Sequence, residues 1–201
     1  MSLRNFLLAK YWSLYLRLRG ASVGAGFQTG GSLDILLRDG AEFSQTKIGD
    51  NVSLAGKTYL RIRESGEIII EDNVCIGTEV WLTTGNKGQL RICSHANIGS
   101  YGIYNGGHGL RIGPDCVIAG FVYMNSSDHG HQRDKLIREQ PYYGRPIDVG
   151  GDVWIGGHCF ITKGVTIGDG AVIGAGSVVV KDIKGYSIAV GNPARFLKER
   201  Q

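Results

Sequence analysis

Proline is scarce, at four residues in 201, and the 32 glycines that punctuate the chain instead follow no G-X-Y period. Neither a collagen-like nor a proline-rich disordered chain fits, and a turn-rich β architecture does. No CxxC pair occurs: Cys75, Cys93, Cys116 and Cys159 stand alone in apolar segments, which predicts reduced core thiols in a cytoplasmic protein rather than a disulfide framework or a zinc site. There is no long basic run and no nucleic-acid-binding signature. Lys and Arg are scattered, and a net charge of +4 with a pI of about 8.9 supports only a mild preference for anionic ligands. Nor is there an apolar run long enough to span a bilayer. A chain of this length builds one ordinary domain with a real core.

The N-terminal segment, residues 1–20, places Leu3, Phe6, Leu7, Leu14 and Leu18 at helical spacing, interrupted by Arg4, Lys10, Arg17 and Arg19. It is too broken for a signal peptide. Two arrangements stay open for this amphipathic helix: packed on the rest of the protein, or lying on an anionic membrane surface, the inner face if the chain is cytoplasmic.

Residues 21–198 are expected to form one further domain, in which a six-residue period dominates from about Ile48 to Lys184. Its units run "VGGDVW", "IGGHCF", "ITKGVT", "IGDGAV", "IGAGSV", "VVKDIK" from Val149 to Lys184 without a gap. An aliphatic residue returning every six positions points inward on each side of a coil, glycine supplies the corners, and polar residues face out. Ile48, Ile70, Ile92 and Ile112 are separated by 22, 22 and 20 residues, and Val149 and Ile167 by 18. Three hexads make 18, so the period predicts a three-sided parallel β-helix with small corner insertions in its earlier turns. The interval from Ile112 to Val149 is longer by about one further coil, and the excess falls on "SSDHGHQRDKLIREQPYYGRP". That stretch is expected to leave the coil near residue 125 and return at Ile147, a common place for function.

These repeats resemble the hexapeptide-repeat acyltransferases, and "GDVWIGG", "GVTIGDGAVIGAGSVV" and "GNPAR" are similar in detail to the maltose, galactoside and polysaccharide O-acetyltransferase branch. The resemblance runs from about Ile48 to Lys198, and the N-terminal segment is similar to capsule and O-antigen acetyltransferases. It implies an all-β, left-handed parallel β-helix that forms a homotrimer, with acetyl-CoA lying between neighbouring subunits and one active site per interface. It implies His129 as the general base, with His131 competing because loop lengths differ among relatives. Gly157 falls at the position nearest the thioester. Ala175 flanks the pantetheine arm, and Lys181, Arg195 and Lys198 face the CoA phosphates. Trp154 matches an aromatic of the family and reads as interface packing.

The chemistry of these residue types agrees. An alcohol is a poor nucleophile, and a histidine near its usual pKa of about 6.5 suits a base that must take and return one proton. A backbone N–H beside a glycine suits a tetrahedral oxyanion, and fixed cations suit a polyanionic cofactor. Asp128 either orients a neighbouring imidazole or is a solvated loop acid. Asn105 and His108, in "YNGGHG", either line the acceptor pocket or are ordinary corner residues. The expected reaction is acetyl transfer to a sugar hydroxyl of a surface polysaccharide or its glycolipid precursor, without nucleic acid or a required metal. Sugar N-acetylation is the alternative. A trimeric carbonic-anhydrase-like zinc site built from His108, His129 and His131 is a weaker one, since the spacing does not place three histidines on coil faces.

Overall fold

The computed structural model describes residues 2–201; Met1 lies outside the described residues. Helix α1 (Leu3–Leu18) is capped at its start by the Ser2 hydroxyl, which accepts the Asn5 N–H at 3.2 Å. Beyond it the chain winds into a parallel β-helix of about seven turns with three sides. The first side stacks strands from Ser22–Val23 to Thr166–Ile167, the second from Gln28–Thr29 to Ser187–Val190, and the third from Leu33–Arg38 to Val178–Val179.

The register is the one the period predicts. Ile48 pairs with Ile70, Ile70 with Ile92, Ile92 with Ile112, Ile112 with Val149 and Val149 with Ile167, making one continuous inward ladder on the first side. All six are buried, and truncating any one of them to alanine removes roughly 2–5 kcal/mol of packing. The three "LRI" tripeptides do not share a side: Leu60–Ile62 lies on the third, and Leu90–Ile92 and Leu110–Ile112 on the first. An in-out-in pattern fits any side of the prism, so the motif carries burial without carrying position.

The extra residues of the early turns gather on one side and its exit. Third-side strands Leu33–Arg38 and Thr58–Arg63 have six residues, against three for Ile103–Asn105 and Tyr123–Asn125. The corner from the third side to the first is consequently the widest, and the long excursion leaves there too, between Asn125 and Ile147.

The sides differ in chemistry. The first carries ion pairs between successive turns, Lys47–Glu67 at 3.1 Å, Arg91–Glu71 at 2.6 Å and Arg111–Asp148 at 3.1 Å. The third side pairs Asp34 with Arg61 at 2.9 Å between its first two strands, and its outer row from Tyr59 to Phe160 is aromatic and aliphatic. Tyr59 stacks on Trp81 with centroids 4.0 Å apart, Tyr123 meets Phe160 at 4.9 Å, and Ile103 is exposed between them. At the corner from the second side to the third, Tyr101, Phe121 and His158 form a stack at 5.0 and 4.7 Å.

One expectation about the thiols needs correction. Cys93, Cys116 and Cys159 are buried, but Cys75 is exposed, because it takes the outward position of the strand Cys75–Ile76 whose inward position belongs to Ile76.

Candidate functional site

The excursion is a short antiparallel hairpin, Ser127–His129 against Tyr142–Gly144, with His129 opposite Tyr142 and Asp128 opposite Tyr143. The His129 ring lies 4.1 Å from that of Tyr142, tilted by 42°, so its orientation is set by a cross-strand neighbour. His131 lies beyond the last strand pair and is exposed. The tip is closed by Gln140, which is buried: its amide oxygen accepts the Gln132 N–H at 2.7 Å, and its amide nitrogen donates to the carbonyls of Gln132 and Lys135 at 2.9 and 3.0 Å. Neither Gln140 nor this role is signalled by any motif in the sequence.

Asp128 does not face His129. Neighbours on a strand point to opposite faces, and the Asp128 carboxylate instead forms an ion pair with Lys163, one turn on at the same corner. Lys163 is a site residue that sequence reasoning missed, because only the stacking of turns brings it under the loop, 35 positions away.

At the base of the loop, Asn105 and Asn125 are ladder neighbours; the Asn105 amide donates to Asn125 Oδ1 at 2.9 Å, and Asn125 donates to the Ser127 carbonyl at 2.6 Å. Asn105 thus supports the strand that carries His129. His108 sits one turn below, its backbone N–H donating to Ser126 Oγ at 3.0 Å. Its ring packs against Gly144, where any Cβ would overlap the imidazole. His108 Nδ1 is buried and has no partner among the described residues, which is costly unless a ligand or solvent supplies one. Beside it opens a cleft of about 710 Å³ lined by Glu64, Asn86, Lys87, Gln89 and His108. These groups offer donors and acceptors under the hairpin, in the space the corner insertions create.

Gly157 and Ala175 belong to a different corner, from the second side to the third, and stack on consecutive turns: the Gly157 carbonyl accepts the Gly176 N–H at 2.9 Å. The Gly157 N–H donates to no backbone carbonyl among the described residues. In this column the corner residue is left-handed from the third turn onward, and Glu79, Tyr101, Phe121 and His158 take it at φ 56°, 62°, 61° and 58°. The next turn has Gly176, at φ 71°, with nothing within 4 Å of where its Cβ would stand. The aromatic stack therefore stops beside Ala175 and the corner opens, a shape that suits a slender pantetheine arm.

Lys181 and Arg195 line one cleft of about 490 Å³ at the C-terminal end, together with Ala189 and Phe196. Lys198 is exposed on the antiparallel strand Arg195–Glu199, opposite Ile188, and does not line that cleft. Trp154 is exposed on the second side, one rung from Val117. The structure therefore groups His129 with Asp128, Asn105 and His108 at one corner, Gly157 with Ala175 at another, and Lys181 with Arg195 near the end. Among the described residues no three His, Cys, Asp or Glu side chains converge as metal ligands.

The bacterial transferase hexapeptide (six repeats) family profile matches residues 146–181. Galactoside O-acetyltransferase of Escherichia coli K12 is 43% identical over 90 residues, 45% of this chain and 44% of the relative. The chain spans about half the length of the curated relatives it matches. Among solved structures, AntD, an N-acyltransferase from Bacillus cereus in complex with dTDP and 3-hydroxybutyryl-CoA, superposes with a TM-score of 0.60 at 20% identity, over 94% of this chain and 88% of that one. The polysialic acid O-acetyltransferase OatWY gives a TM-score of 0.61 at 22% identity, over 89% and 88%. At these identities the two structures share the fold. The six-residue period of the sequence is built as three-sided turns, and over residues 146–181 it matches the hexapeptide profile of bacterial transferases.

Proposed function

We propose that the protein is an acetyl-CoA-dependent O-acetyltransferase acting on a sugar hydroxyl, with His129 as general base and its active site assembled between copies of the chain. The observation that carries this reading is the placement of His129 and Gly157 on different corners of the prism. The turn at His158 and the third-side strand Phe160–Thr162 separate Gly157 from the corner at Lys163 where the loop is anchored. A base and an oxyanion donor that serve one thioester must come within hydrogen-bond reach of it. Two neighbouring prisms in a homotrimer meet that requirement, one supplying the loop and the other the open corner. The aromatic and aliphatic row of the third side, with Trp81 and Ile103 exposed, is the surface such an assembly would cover, and the ion-paired first side would stay in water.

In the reaction, His129 takes the proton of the acceptor hydroxyl as its oxygen attacks the thioester carbonyl. The oxyanion that forms is held by the Gly157 N–H. The carbon–sulfur bond then breaks, and the departing thiolate takes the proton back from the imidazolium, giving the acetyl ester and CoA. Ala175 and Gly176 leave room for the pantetheine arm, and Lys181, Arg195 and Lys198 supply charge for the phosphates. The cleft at Asn86, Gln89 and His108 takes the sugar. The relatives favour such an acceptor: one is named for galactoside O-acetylation and a structural neighbour for polysialic acid O-acetylation. A surface polysaccharide or its lipid-linked precursor is the acceptor class we favour. AntD, an N-acyltransferase, supports an amino sugar as the second reading.

Thiol release from acetyl-CoA, measured with hydroxyl sugars and amino sugars in parallel, tests the proposal. His129→Ala should lower turnover by about 10²–10⁴, and His131→Ala should leave it near that of the parent. Normal turnover by the first variant would overturn the assignment, and release only with amino sugars would replace O-transfer by N-transfer. Light scattering should give three chains per particle.

A further inference from the structure

Helix α1 has two apolar faces, and the β-helix uses only one. Ala9 and Leu16 are buried, and Trp12 and Tyr15 pack partly on the core at the first turn. On the opposite side Leu3, Leu7, Tyr11, Leu14 and Leu18 follow each other at steps of four, four, three and four, so they form one stripe along a rod of ~24 Å. All five are between 57% and 78% exposed.

The charge is as one-sided as the stripe. The first 33 residues contain no Asp or Glu and four cations, Arg4, Lys10, Arg17 and Arg19, whereas the rest of the chain carries 18 basic and 18 acidic residues. The whole net charge of +4 therefore sits on the helix and its exit. Arg17 donates to the carbonyls of Val23 and Gly24, and Arg19 stands over the rings of Tyr15 and Phe43. Arg4 and Lys10 flank the stripe. None of the four is paired with a carboxylate among the described residues.

We propose that this outer face docks the N-terminal end of the prism on an anionic phospholipid surface. Acyl chains accept the leucine stripe, and headgroup phosphates accept the flanking cations. A second copy of the helix is a poorer occupant, because closing stripe on stripe brings Arg4 and Lys10 of the two copies together with no acid between them. The helix lies on the surface and does not cross it: no helix among the described residues is long and apolar enough to span. Docking through the end of the prism leaves its three sides free.

The test is co-sedimentation of the full chain with phosphatidylglycerol vesicles and with phosphatidylcholine vesicles, over a range of salt. Binding to the anionic vesicles is expected to exceed binding to the neutral ones by about tenfold or more and to weaken as salt shortens the screening length. Leu7→Gln with Leu14→Gln should remove it, and Arg4→Gln with Lys10→Gln should weaken it several-fold, all with an unchanged melting temperature because these side chains are exposed. Absence of binding to anionic vesicles, equal binding to both lipids, or undiminished binding by the leucine variant would overturn the proposal. So would a change of oligomeric state caused by the leucine substitutions, which would assign the stripe to a second copy.

Discussion

The imidazole of His108 occupies the space that a side chain on Gly144 would need. Through this packing the cleft floor and the returning strand of the hairpin are one unit, and His129 lies on the partner strand. Gly144→Ala is expected to displace the hairpin and lower kcat by about 10–100-fold, since a shift of about 1 Å at a reacting group has that effect. The coil does not depend on the hairpin, so the melting temperature should change little. Steady-state kinetics beside thermal unfolding separates the two.

The Asp128–Lys163 pair ties the outgoing strand to the following turn. Each single variant, Asp128→Asn or Lys163→Met, should lower kcat by about tenfold through a loosened base. The double variant should lose less than the product of the two, because the pair acts as one interaction. Losses that multiply fully would show the two residues act separately.

Lys181 and Arg195 line the same cleft and are read as partners of the CoA phosphates. Replacing both with alanine should raise KM for acetyl-CoA by about tenfold or more and leave kcat within about twofold, since these charges bind ground and transition state alike. The parent KM should rise with salt, and that of the variant should respond less.

Burial pushes the Cys116 thiol up to about 11 from a usual 9.0, in a site where its Sγ donates to the Gly150 carbonyl at 3.0 Å. The unfolded chain loses this proton first. The stability due to the neutral buried thiol is thus complete below pH ~9 and declines as pH rises toward ~11, by about 2–3 kcal/mol. Denaturant midpoints at pH 8 and 10.5 should differ less in Cys116→Ala than in the parent, although the variant starts lower because of its cavity. Under native conditions a thiol reagent should modify Cys75 quickly and the three buried cysteines slowly.

Much of the coil was legible in the sequence because its inward positions obey a strict count. Ile48, Ile70, Ile92 and Ile112 were placed in register by their spacing, and the 37-residue step to Val149 located the excursion between Asn125 and Ile147. The count is silent about anything that depends on which side a residue occupies. It gave no sign that Lys163 lies under Asp128, that His108 packs on Gly144, or that Gln140 closes the loop tip. These contacts join residues from different turns or from the irregular loop, where no period operates. Cys75 was misread for a related reason, since an apolar neighbourhood in sequence does not say which of two adjacent strand residues points inward. The outer stripe of α1 was visible as helical spacing, but only the packed position of Ala9 and Leu16 shows that it is a second face.

Both ends of the prism are finished differently from its middle. A stack of parallel rungs exposes unpaired N–H and C=O groups at each end, and any other rung of the same spacing can add to them. Helix α1 covers the first rung, with Leu16 inserted into the core and Arg17 bonded to the carbonyls of Val23 and Gly24. At the other end the strand Arg195–Glu199 pairs antiparallel to Ser187–Val190, and three of its five residues, Arg195, Lys198 and Glu199, are charged. These two closures occupy edges on which a further rung could otherwise add.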